Sequence, residues 1–162
     1  MKVELNKSNF PAFAEWIHYC IVTKGYKNNL TEILLVDMVR REHTIASIMA
    51  PLVACRDAGG EPGDIEYDAL KIDADEKMKG REKSMQAYES EMRDLFATIA
   101  GGFSATSLMR IMTEPGAIAH FALGARNDCH WLWQAVEKTH ANKSSDESAE
   151  GARYAAVLQV HR

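Results

Sequence analysis

The chain has 162 residues, 46% of them hydrophobic and 26% charged, with a formal net charge of -4 at pH 7. That length fits one domain, or one domain with a small appendage, and is enough to bury a core without disulfides or metal. The acidic balance argues against direct nucleic-acid binding, and no apolar run reaches the roughly 18 residues that a bilayer span requires.

Helical periodicity dominates. It predicts an all-α fold, a helical bundle of about five to six helices over 1–141, with a loop or hinge near 57–64. Residues 142–162 read as a flexible linker and a short C-terminal element. A first helix starts at Ser8 or Asn9, carries Pro11 in its first turn and ends before Gly25. Phe10, Phe13, Ile17, Cys20 and Ile21 share one of its faces. A second begins at Asn29 and runs to about Cys55, with a kink near Pro51. It is apolar almost all round, the mark of a buried central helix. Within it Arg41 lies on the apolar side. The residue is either paired with Asp37 or an anion-binding arginine.

The segment DAGGEPGD, Asp57 to Asp64, breaks the chain. From Asp57 to Glu76 eight carboxylates stand against Lys71 alone. A calcium loop would need glycine at Ala69 and glutamate at Asp75, so an acidic helical surface is expected. The helix that follows becomes heptad-like, with Met78, Met85, Met92 and Ile99 seven apart and Tyr88 and Leu95 between them. Such a seam packs either inside the fold or against a partner, and methionines suit both uses. Glu91 and Asp94 are spaced as half of a nucleotide pyrophosphohydrolase carboxylate set, but the matching upstream glutamates are missing. Ser104 or Thr106 starts a short helix through Met112, and Thr113 to Gly116 turn into a helix spanning about Pro115 to His140.

In that last helix ARNDCHWLW places a cysteine, a histidine and two tryptophans within five positions. On a continuous helix Ile118, Phe121, Ala125, Cys129, Leu132 and Val136 form one stripe, making Cys129 a buried hydrophobe. Its neighbour His130 points elsewhere, so the two do not form a nucleophilic pair. Trp131 falls on a second face with Ala117, His120, Gly124, Ala135 and Lys138. That face is either packed internally or meets a partner. The two ExxH spacings, Glu15 to His18 and Glu137 to His140, read as solvated helix faces.

The widely spaced Cys20, Cys55 and Cys129 lack a CxxC pair, and MKVELNKSNF has no apolar h-region. Free thiols and a cytoplasmic setting are expected. The function these features favour is non-enzymatic: a helical adaptor, assembly factor or small inhibitor, of the kind mobile elements encode, acting through protein–protein contact. Its candidate interface residues are Trp131, His120, Gly124, Lys138, Met78, Met85, Tyr88 and Met92. The partner is another protein, basic or nucleic-acid-associated, or a second copy of the chain. No cofactor, metal or membrane is called for. The alternative is a helical-bundle enzyme that acts on a nucleotide or uses a divalent metal through Glu91, Asp94, Arg41 and the histidines.

Overall fold

The structure, a computed structural model, describes residues 2–38 and 43–141. Among these it is all-α, with seven helices in chain order: α1 Phe10–Thr23, α2 Leu30–Leu35, α3 Ile45–Asp57, α4 Ile65–Ala100, α5 Ala105–Met112, α6 Ala117–Phe121 and α7 Cys129–Val136. A π-helical turn, Glu137–Ala141, closes the described chain. Arg41 and the C-terminal element expected at 154–160 lie outside the described residues.

Seven helices replace five to six because two expected helices are each broken. The one expected over 29–55 stops at Leu35, where Val36 turns extended (φ -137°, ψ 138°). Leu30, Ile33 and Leu34 are buried, but Leu35 and Val36 are exposed, so the apolar residues beyond the packed face have nothing to cover them. Its second half, α3, is not a central helix: Ile48 is its one buried residue, and Pro51 sits inside it. The helix expected over 115–140 is interrupted between Phe121 and Cys129. Gly124 takes a left-handed φ of 79°, which favours glycine. Asp128 then caps α7, its carboxylate accepting from Trp131 N at 3.0 Å.

The chain forms two units. One comprises residues up to Met38 and from Ser90 onward; the other is Val39–Glu89. In the second, α3 is capped by Thr44, whose hydroxyl accepts from Ser47 N at 3.1 Å. Arg81 Nε donates to the His43 carbonyl at 3.1 Å. The inward side of α4 carries Tyr67, Leu70, Ala74, Met78, Arg81 and Met85 in turn, all half-buried or buried.

The first unit has an aromatic core. Phe13 is fully buried and lies near Trp16, Phe103 and Trp133, with ring centroids 5.7, 6.1 and 6.3 Å away. Phe10 approaches Trp133 at 5.8 Å. Leu95 and Ile99 on the last turns of α4, Leu132 and Val136 on α7, and Leu30 on α2 are also sealed from solvent. The N-terminal segment is tied to the turn after α4. Leu5 N donates to Gly102 O at 2.7 Å, and Ser104 N donates to Leu5 O at 3.1 Å.

Gly102 permits this junction. A Cβ there would stand 2.7 Å from Phe13 Cε2 and 3.0 Å from Trp16 Cζ3. Gly102→Ala should therefore force the buried Phe13 ring and the half-buried Trp16 ring to shift and destabilise the protein by about 1–3 kcal/mol, the usual cost of overpacking. In a Phe13→Leu background the added methyl should cost less. Urea unfolding of the four variants of this cycle measures the coupling, and equal costs in both backgrounds would refute the steric account.

Candidate functional site

The carboxylates with the most chemical promise in the sequence, Glu91 and Asp94, stand one turn apart on α4 and face the loop between α1 and α2. Glu91 accepts from Lys27 N at 2.7 Å and Asn28 N at 3.0 Å, and from the Asn28 side-chain amide. Asp94 accepts from Lys24 Nζ at 3.0 Å and from the Tyr26 hydroxyl, and Lys24 also reaches Thr98 Oγ1 at 2.8 Å. Both acids hold down the loop Lys24–Asn28: Glu91 satisfies the backbone N–H groups of Lys27 and Asn28, and Asp94 holds the side chains of Lys24 and Tyr26.

Electrostatics follow from these contacts. Burial pulls the Glu91 carboxyl upward, but the bonds from Lys27 and Asn28 outweigh it and hold the group below its ordinary value. Asp94 is held low by the Tyr26 hydroxyl and the Lys24 ammonium. The Tyr26 phenol is raised by burial and by its bond to Asp94. Such depressed carboxyls are anionic anchors, unsuited to giving up a proton near neutrality.

Cys129 is fully buried, and its Sγ donates to Met92 O at 3.3 Å. Burial pushes its thiol up to about 12, which removes it as a nucleophile near neutral pH. His130 Nδ1 lies 3.4 Å from Leu34 O, so the adjacent cysteine and histidine serve different neighbours. All three cysteines are free.

Trp131 is half-buried, and its surroundings differ from the expected helix face. His120 stacks on it at 4.1 Å with 15° between the planes, and Phe121 meets it edge-on at 6.2 Å. The turn at Gly124 folds α6 back toward α7 and brings these rings together, so helical periodicity does not relate them. Gly124 is a turn residue and not a small residue on a helix face. Lys138 pairs with Glu114 at 2.7 Å. The stripe expected through Ile118 is also overturned, since Ile118 is 79% exposed.

The seam residues line one side of α4. Met78, Met85 and Tyr88 are half-buried in the second unit, and Met92 is buried in the first. Of the ExxH pairs, Glu15 is exposed while His18 stands edge-on to Trp133 at 6.2 Å. The solvated reading of 137–140 fails for His140, which is 8% exposed. Its Nε2 lies 2.9 Å from Ser107 Oγ, and its Nδ1 lies 2.7 Å from Thr139 Oγ1. Ser107 in turn donates to Leu5 O at 2.8 Å. Neither the spacing nor the apolar pattern signals this buried polar chain, because Leu5, Ser107 and the Thr139–His140 pair are far apart in sequence. Among the described residues no group of three His, Cys, Asp or Glu is arranged to hold a metal ion. No helix among them is long and apolar enough to cross a membrane.

The fold and these side chains define an all-α protein whose carboxylates anchor its own loops. Comparison with protein-family models, curated proteins and solved structures finds no match.

The loop anchors predict a specific acid response. Because the folded pKa values of Glu91 and Asp94 lie below their unfolded ones, their stabilisation is complete above about pH 4.5. It is lost as pH falls through the folded values, where the native state takes up its protons. Glu91→Gln should lower stability at pH 7 and flatten its decline below about pH 4.5. Urea titrations at a series of pH values check this; an acid limb parallel to that of the wild type would count against the anchoring role.

Proposed function

We propose that this protein works by contact with another protein, as an adaptor, assembly factor or small inhibitor, and not by catalysis. The observation that carries this reading is the set of large apolar side chains left outward on α5, on α6 and in the loop after it. Met109 is 73% exposed, Ile118 79% and Leu123 fully so. Single exposed hydrophobes are ordinary, but several on two helices that pack together favour a recognition surface. The commitment of Glu91 and Asp94 to the Lys24–Asn28 loop supports the same reading, since it removes the two acids an enzyme would be expected to use. Trp131 stacks on His120 of α6 and meets Phe121 edge-on. It serves as support for the surface more than as its contact point.

Two variants test this. Ile118→Asp with Leu123→Asp should abolish capture of a partner from native lysate while leaving the melting temperature within a few degrees of the wild type. Trp131→Ala should lower stability by about 2 kcal/mol, less than a full core truncation because the ring is half-buried. Unchanged capture by the double variant would refute this surface. Unchanged stability of Trp131→Ala with lost capture would make Trp131 itself the contact residue.

A further inference from the structure

The first turns of α4 carry a second outward apolar feature, in the unit Val39–Glu89. Ile65 is 91% exposed and Ile72 62% exposed. They are seven residues apart, on the same side of the helix and separated by about 10 Å along its axis. At roughly 100° per residue this side is diametrically opposite Tyr67, Ala74 and Met85, the residues that α4 turns inward. Packing among the described residues therefore gives no reason for isoleucine here.

The flanks of the stripe are acidic on both sides. Asp68 and Asp75 border one edge, and Glu66 and Asp73 the other, with Glu76 continuing the stripe itself. Of these, Asp73 forms an ion pair, with Lys77 at 2.9 Å, and Asp68 accepts from Gly63 N at 3.1 Å. Acidic residues near a helix N-terminus stabilise it through the macrodipole, but only in the first turn. That accounts for Glu66 and Asp68, and the pair with Lys77 accounts for Asp73, which leaves Asp75 and Glu76.

We infer that the outer face of α4 from Ile65 to Glu76 docks a basic amphipathic helix of another protein. Such a helix would lay apolar residues on Ile65 and Ile72 and set lysines or arginines against the carboxylates on both flanks. Charge complementarity selects this occupant. A second copy of the chain would bring like-charged faces together, and a nucleic acid or an anionic membrane would be repelled. The inference rests on the reading that the protein acts by contact, but it uses a surface separate from α5 and α6.

The test is anisotropy titration of the full chain with two labelled model peptides of about 18 residues, each able to form an amphipathic helix with leucines along one side. One carries lysines beside the leucines, the other glutamates. The lysine peptide should bind and the glutamate peptide should not, and binding should weaken markedly between about 0.05 and 0.5 M salt. Ile65→Ser with Ile72→Ser preserves every charge and should weaken binding about ten-fold or more. Both side chains face solvent, so helicity should persist by circular dichroism. If it does not, Asp68→Asn with Asp75→Asn replaces it and should weaken binding to a similar extent. Ile118→Asp with Leu123→Asp should leave binding intact, so the two surfaces fail or succeed independently. Equal affinity of the isoleucine variant, with helicity kept, would show bulk charge attraction and overturn the proposal. So would self-association through this face, or binding of an oligonucleotide or anionic vesicles in place of the lysine peptide.

Discussion

The structure of the first unit depends on the absence of a side chain at Gly102. Phe13 and Trp16 close over that position, and the Leu5 backbone pairs with both Gly102 and Ser104. From this junction the contacts run outward in two directions. Phe13 leads to Trp133 and so fixes α7 against α1. Leu5 O also receives the Ser107 hydroxyl, which stands against His140 and so ties α5 to the turn after α7. An N-terminal segment of a few residues thus joins pieces of chain about a hundred positions away. Long-range closure of this kind is costly in chain entropy, and dense packing around the closing residues offsets it.

Several polar groups among the described residues are spent on architecture. Glu91 and Asp94 hold a loop, Asp128 and Ser104 cap helices, and Lys138 pairs with Glu114. The apolar groups divide differently. Those near the Phe13 core are sealed, while isoleucine, leucine and methionine remain outward on α4, α5 and the loop after α6. Ionic groups that hold loops and hydrophobes that remain outward are the two features on which the proposed contact role is built.

Much of the helical framework is legible in the sequence, because local signals and tertiary packing agree there. Asn9, Pro11 and Gly25 bracket α1, Ser104 caps α5, and the seven-residue spacing of Met78, Met85, Met92 and Ile99 marks the inward side of α4. The burial of Cys129 also follows from its neighbours. The break after Leu35 is not legible: no glycine or proline announces it, and the helix ends where its cover ends. Gly124 and Asp128 do signal the break before Cys129, but the apolar spacing that runs through Ile118 imitates a continuous helix across it. The partners of Glu91 and Asp94 lie more than sixty positions away, and no local pattern encodes a contact at that distance.

The π-helical turn at Glu137–Ala141 has a consequence for how the chain tolerates changes in length. Thr139, His140 and Ala141 are buried in succession, which a regular α-helix with a single packed face does not favour. A π turn is an α-helix carrying one extra residue, and its wider winding crowds successive side chains into a smaller arc. The turn therefore behaves as a one-residue insertion absorbed within a helix. Removing Glu137 or Lys138 would let the turn relax to ordinary winding with His140 little rotated. One further residue inserted there has no ordinary turn left to take it up, and would swing the imidazole of His140 away from the Ser107 hydroxyl. A surface loop accepts gain and loss alike, but here the chain tolerates shortening better than lengthening.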